Sequence, residues 1–335
     1  MAYLNEISVH HHVFSRALIR IILGILMSGN HHYYSAHRSQ ENRDYSVNKA
    51  NPIALVVEGG GQKGIFTAGV LDAFLKEKFN PFSLLIGTSA GALNLASYIC
   101  GQYRHAYRVI TEATMHKSFF NMRSFLFESK GMDLDWLIEQ TKTKIPLDWN
   151  RGYENMTNRV VLVTATQADN NQVDYFDLFG AGWELALKAS CSIPGIYNTP
   201  ATLDKYHWLD GGVQAPIPLE EVYRQGYKHI VVIRTAPPEV KYEHKLLAKL
   251  TPYIKNLKAK EIMNNLIDHE ESYLKAQMFL ESPPEDVSIY ELHPTRLLKS
   301  KLIGSKKTSL DYDYQQGFDC GRQFLESYQG IDMYR

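Results

Sequence analysis

A serine set between two glycines, in Gly87-Thr88-Ser89-Ala90-Gly91, closes the apolar run Leu84-Leu85-Ile86 and leads into a helical pattern of small residues. A strand, one sharp turn with serine at its tip, then a helix is the arrangement of a nucleophile elbow. Side chains at Gly87 and Gly91 would collide with the tight turn or the packed helix. Ser89 would then stand above a sheet edge, near helix-terminal N–H groups able to stabilise an anion. Two further pieces complete a chemistry. Gly59-Gly60-Gly61-Gln62-Lys63-Gly64 can bring backbone N–H groups close to a ligand, and Asp210, followed by Gly211-Gly212, presents an uncrowded carboxylate. Together they suit acyl transfer: Ser89 attacks an ester carbonyl and Asp210 takes its proton. The amides of Gly59, Gly60 and Gly61 would stabilise the tetrahedral oxyanion, a contribution of about 3–4 kcal/mol per donor. An aspartate with a pKa of about 4 is a weak base, so burial has to raise it or proton transfer has to be concerted with attack.

Each piece has an ordinary reading. Gly59–Gly64 fits the G-x-G-x-x-G of a dinucleotide-binding oxidoreductase, but that fingerprint calls for an acidic residue after the next strand, where Ile86-Gly87-Thr88-Ser89 stands. G-x-S-x-G and D-G-G also occur on plain turns. Their order, with the glycine loop one strand-helix unit before the serine, favours the catalytic reading over each taken alone.

The elements that must position these residues follow from apolar patterning. Ile53–Val57, Phe82–Ile86, Arg159–Thr166 and Lys228–Thr235 are continuous apolar runs of strand length, as in a sheet buried on both faces, and the last is expected to end the sheet. Helical spacing over 65–75 and after Gly91 gives a β-α-β-α order, hence parallel crossovers. Residues 104–158 read as a mostly helical connection, and 201–210 as a short hairpin-like patch. The expected organisation is an N-terminal segment over 1–50, a catalytic domain over 51–236 and a helix-rich C-terminal extension over 237–335, with a strand at 287–292 and a last helix at 312–328.

Lys+Arg and Asp+Glu balance at 36 each, so no global field draws the chain to nucleic acid or to an anionic membrane. Cys100, Cys191 and Cys320 suit ordinary thiols in a reducing compartment, neither a disulfide framework nor a metal spacing. Ile21–Met27 is at the floor for a signal-peptide core and too short to span a bilayer, and no small-residue cleavage site follows. It reads as an upstream start or a short interfacial anchor ahead of a polar, disordered lead-in. The expected location is cytoplasmic, with peripheral contact at the inner face of a membrane, ahead of secretion.

The three motifs, with Ala189-Ser190-Cys191-Ser192-Ile193-Pro194-Gly195 before the aspartate, resemble the patatin-like phospholipase family over about residues 53–235. That resemblance implies a three-layer α/β/α domain around a central, mostly parallel sheet. It implies a Ser89–Asp210 dyad without a catalytic histidine, an oxyanion hole at Gly59–Gly61, a lipid ester substrate, and neither metal nor organic cofactor. Lys63, Gly64, Gly87, Gly91, Gly211 and Gly212 are the supporting positions of its motifs. The full chain is similar to a bacterial subgroup with a smaller, helix-rich α+β extension. A non-catalytic lipid-binding protein on the same fold is the first rival.

Other candidates carry less. His207 lies three residues from Asp210, which on a strand turns it to the opposite face. His10-His11-His12 and His31-His32 sit in the lead-in, and His269-Glu270-Glu271 lacks the second histidine of a zinc motif. Lys63 fits either the glycine loop or an anionic headgroup as well as a solvated first turn. Asp72 and Asp177 are expected at the surface or as caps. Phe119, Phe120, Phe125, Phe127 and Trp136 suit an acyl-chain pocket, a lid or core. Lys245, Lys249, Lys255, Lys258 and Lys260 give a basic helix face that suits a membrane surface or simple solvation.

Overall fold

Apolar residues with period two, facing both ways, build the centre of the molecule. The computed structural model describes residues 33–34, 52–121, 123–125, 131–180, 182–197, 201–203, 205–240 and 257–327. Strands β1 (Tyr33–Tyr34), β2 (Ile53–Val57), β3 (Phe82–Thr88), β4 (Val160–Gln167), β5 (Val173–Asp177), β6 (Ala201–Leu203), β7 (Tyr206–Asp210), β8 (His229–Ile233) and β9 (Ser288–Leu292) form one sheet. Its order is β1-β5-β4-β3-β2-β8-β9, with the β6–β7 hairpin added to β4 through β7. β4, β3, β2, β8 and β9 run parallel, while β5 and β7 are antiparallel to β4. The sheet is therefore mixed and mostly parallel, as expected.

Along β2, Ile53, Leu55 and Val57 enter one apolar cluster and Ala54 and Val56 the other. β8 divides the same way, Val231 and Ile233 against Ile230 and Val232. The first face is covered by α1 (Ile65–Lys76), α2 (Ala90–Ile99), α6 (Trp183–Ser190) and α9 (Lys307–Ser327), the second by α7 (Leu219–Arg224) and α8 (Leu257–Glu281). That is a three-layer α/β/α arrangement, and each fully buried Leu, Ile or Val contributes about 1.5–3 kcal/mol. The connection after α2 holds α3 (His105–Arg108), a π-helical turn at Val109–Ala113, α4 (Leu134–Thr143) and α5 (Trp149–Asn155).

The sheet does not end at β8. β9 pairs with it in register from His229↔Ser288 to Ile233↔Leu292. As an edge strand β9 alternates exposed and covered residues, so it lacks the continuous apolar run that marks the inner strands. The C-terminal residues also enter the first face. A Cβ on Gly317 of α9 would stand 1.9 Å from the Phe66 carbonyl, and one on Gly69 of α1 2.2 Å from that of Tyr314. Only glycine lets the two helices approach so closely. Phe324 of α9 packs at 5.6 Å between ring centroids on Phe74 of α1.

Asp72 departs from its expected surface position. It is buried in α1 and accepts hydrogen bonds from the Arg104 N–H and the Tyr314 hydroxyl. Asp177 accepts from the Phe179 N–H and shapes a turn. Within the lead-in, Tyr33–Tyr34 pairs parallel with β5. The run Ile21–Met27, His10–His12, His31–His32, Phe127 and the lysines at 245, 249 and 255 lie outside the described residues. Among the described residues, no helix is long and apolar enough to cross a membrane, and no group of three or more His, Cys, Asp or Glu is placed to hold a metal ion.

Candidate active site

The carboxyl ends of β2, β3 and β4 bring the three motifs together, at the sheet edge where open α/β folds bind ligands. Ser89 follows β3 with φ 55° and ψ −123°, a sparsely populated conformation held by its surroundings. A Cβ on Gly87 would meet the Ala92 nitrogen at 2.9 Å, and one on Gly91 the Val57 carbonyl at 2.5 Å, so both glycines are sterically required. The Ser89 N–H donates to Ser190 Oγ at 2.9 Å, which fixes the elbow from α6.

Asp210 ends β7, opposite Ala165 of β4. Ser89 Oγ donates to Asp210 Oδ2 at 2.6 Å, and the Gly212 N–H donates to Oδ1 at 2.7 Å. The Asp210 N–H donates to the Ser192 carbonyl at 2.8 Å. One small-residue segment thus holds both members of the pair, through Ser190 and Ser192. Gly211 admits no side chain, since a Cβ would lie 2.0 Å from Thr164 Oγ1. Thr88 Oγ1 donates to the Ala215 carbonyl at 2.8 Å and meets Thr164 Oγ1 at 2.8 Å, tying β3, β4 and the turn after Asp210. From the C-terminal region, His269 Nδ1 bonds the Gly212 carbonyl.

Burial sets the electrostatics. It pushes Asp210 from 3.8 to about 6, against the stabilising hydrogen bonds from Ser89 and Gly212. A carboxylate with that pKa is a better base than a solvated one and is ionised at neutral pH. Cys191, buried alongside, is pushed well up by burial and by the Asp210 charge, so its thiol stays protonated. His207 is exposed on the hairpin, 3.3 Å from Thr202, and takes no part in the Ser89–Asp210 pair.

The glycine turn lies beside Ser89. A Cβ on Gly59 would stand 3.1 Å from Ser89 Cβ, and Gly60 and Gly61 adopt φ of 135° and 56°. Among the described residues, the N–H groups of Gly59, Gly60 and Gly61 have no acceptor. Thr235 Oγ1 donates to the Gly59 carbonyl at 2.9 Å, and the Thr235 N–H donates to Glu58 at 2.8 Å. Burial pushes Glu58 up to about 7, against that N–H and the charges of Arg234 and Lys63. On the outer side the Gln62 N–H donates to the Leu302 carbonyl at 2.9 Å, and Gln62 Oε1 accepts from the Ser305 N–H at 2.8 Å. A dinucleotide pyrophosphate would need the N–H groups at this helix start, and one of them is already engaged. Lys63 is half-buried in the turn, outside the cavity lining, and Gly64 packs against Asn94, which donates to its carbonyl.

An apolar cavity leads away from Ser89. Phe119, Met132, Leu134, Leu137, Val109 and Ile110 form its walls, with Cys191, Leu302 and Ile303 near the serine end or rim. Of the aromatic candidates Phe119 lines it. Phe120 and Trp136 pack behind in the same cluster, and Phe125 packs on Phe120 at 5.6 Å between centroids. His105, a buried residue of the lining, is engaged by Ser97 and the Ile145 carbonyl. Sequence patterning does not reveal these contacts of Ser190, Ser192, Gln62, Leu302 and His269, because each acts through a partner distant along the chain.

A family model described as patatin-like phospholipase matches residues 55–223, and one described as a domain of unknown function (DUF6363) matches 259–331. The uncharacterized protein YjjU of Escherichia coli is 39% identical over 274 residues, covering 82% of this chain and 77% of its own. Lysophospholipase NTE1 of Candida albicans is 25% identical over 189 residues; the match spans 54% of this chain and only 13% of that protein. VipD from Legionella pneumophila superposes with a TM-score of 0.47 at 14% identity, over 83% of this chain and 67% of VipD.

Proposed function

The chain belongs to the patatin-like phospholipase family, and from that premise we propose that it is a serine lipid acyl hydrolase working through a Ser89–Asp210 dyad. Asp210 Oδ2 takes the hydroxyl proton as Ser89 Oγ attacks the ester carbonyl. The unengaged N–H groups of Gly59, Gly60 and Gly61 receive the oxyanion, and the leaving alcohol takes the proton back from Asp210. Water then attacks the acyl-serine with Asp210 again as base. The acyl chain lies in the cavity walled by Phe119, Met132, Leu134 and Leu137. This cavity needs to seat only the acyl chain being cleaved, so monoacyl lipids are the simplest substrates to test first.

The observation that carries the reading is the 2.6 Å contact between a strained serine and a buried carboxylate beside an apolar cavity. A fluorophosphonate probe tests it. Labelling is expected of the native protein and not of Ser89→Ala or Asp210→Ala, with hydrolysis of p-nitrophenyl esters falling at least about 10⁴-fold in Ser89→Ala. Hydrolysis that persists in Ser89→Ala would sink the mechanism.

A further inference from the structure

The segment that joins β9 to α9 is locally cationic in an electrically balanced chain. From Arg296 to Lys307 it carries Arg296, Lys299, Lys301, Lys306 and Lys307 and no acidic residue. All five are exposed. Lys307 is paired with Asp311, and Lys299 and Arg296 rest on the Tyr312 ring at 3.4 and 5.4 Å from its centroid. Among the described residues, Arg296, Lys299, Lys301 and Lys306 form no ion pair. Two leucines stand out among them, Leu297 at 69% exposure and Leu302 at 41%.

The segment is held in shape. The buried carboxylate of Asp313 in α9 accepts from the N–H groups of Lys299 and Ser300, and Ser305 Oγ accepts from that of Lys301. Its far end buttresses the glycine turn through Leu302 and Ser305, and Leu302 and Ile303 line the cavity. Leu302 both lines the cavity and meets solvent, which places the segment on the cavity's rim.

We propose that the segment Arg296–Lys307 docks the protein on an anionic lipid surface, with Leu297 and Leu302 entering the acyl layer and the cations lying on the headgroups. Cations beside exposed leucines match a surface where negative headgroups overlie hydrocarbon. A nucleic acid or an acidic protein would use the cations and leave the leucines in water. Docking would turn the cavity mouth toward the lipid phase, so an acyl chain passes from bilayer to cavity with little exposure to water. The inference rests on the lipid hydrolase reading for its purpose, and its test does not depend on catalysis.

The test is sedimentation of full-length Ser89→Ala protein with vesicles of phosphatidylcholine alone and of equimolar phosphatidylcholine and phosphatidylglycerol. Binding is expected to the anionic vesicles, to weaken with added salt, and to fall about fivefold for each cation removed, as in Lys301→Gln with Lys306→Gln. Leu297→Asp should weaken it as well. Melting midpoints taken alongside show that each variant is folded. Equal binding to both vesicle types, unchanged binding in the folded variants, or binding to heparin with none to vesicles would overturn the proposal. Failure here leaves fluorophosphonate labelling of Ser89 unaffected, and failure of labelling leaves vesicle binding to be read by itself.

Discussion

At the scale of single residues, the role proposed for Asp210 links catalysis to stability. Its pKa of about 6 predicts that kcat/KM rises with pH along an acid limb centred near that value, because in the proposed dyad the ionised form is the base. The same burial makes ionisation unfavourable for the fold. A carboxyl whose folded pKa is raised above its unfolded value stabilises the protein fully below the unfolded value, and that contribution is lost as pH rises through the folded one. Removing the charge should therefore help the fold at neutral pH. Asp210→Asn is expected to be inactive yet more stable at pH 8, by up to roughly 3 kcal/mol for a shift of this size. Denaturant unfolding of both proteins across the acid and neutral range checks it, and an equal or lower stability of Asp210→Asn at pH 8 would refute the assignment. Glu58 and Asp72, also raised by burial, shift the native protein's profile in the same direction, so the comparison with the variant is the informative one.

At the scale of elements, α4 and the π-helical turn shape the apolar cavity. Leu137 of α4 lies in its wall, and a larger side chain there shortens the space available to an acyl chain. Leu137→Trp is expected to lower kcat/KM for long-chain p-nitrophenyl esters while sparing the butyrate. Each methylene denied its place is worth about 1–3 kcal/mol, or tenfold and more in selectivity. A uniform loss across chain lengths would instead indicate general disturbance. The strands and the elbow were legible in sequence because their signals are local. A strand buried on both faces reads as a continuous apolar run, and Gly87 and Gly91 mark a turn whose steric demand lies within a few residues. β9 gave a weaker signal because its outer residues face solvent. Ser190 holding Ser89, and Asp72 meeting Tyr314, depend on partners 101 and 242 residues away, and no local spacing encodes such pairs.

At the scale of the whole molecule, the C-terminal region completes the sheet, covers both faces and supports the site. β9 covers the edge of β8, α9 meets α1 through Gly69 and Gly317, and Tyr273 of α8 joins the second apolar cluster. Arg234, fully buried after β8, is paired with Glu291 of β9 and bonded to Tyr273 of α8. A chain ending at Pro284 would leave Arg234 without the carboxylate of Glu291, its hydrogen-bonded ion-pair partner at 2.6 Å, with only the longer 4.0 Å approach to Glu58 remaining, and breaking a buried pair is strongly destabilising. It would also expose the apolar surface of α1 around Phe66 and Phe74, and leave the backbone of β8 as an open edge. Gln62 would lose both Leu302 and Ser305, so the glycine turn would lose its outer support. These losses together are comparable with the whole stability of a typical domain, about 5–15 kcal/mol. Truncation after Pro284 is therefore expected to give insoluble or loosely packed protein, without a cooperative melting transition and without fluorophosphonate labelling. Circular dichroism melting, with labelling of the soluble fraction, reads both outcomes. A truncated chain that melts cooperatively and still labels at Ser89 would mean that the residues up to Pro284 fold and assemble the site without β9 and α9.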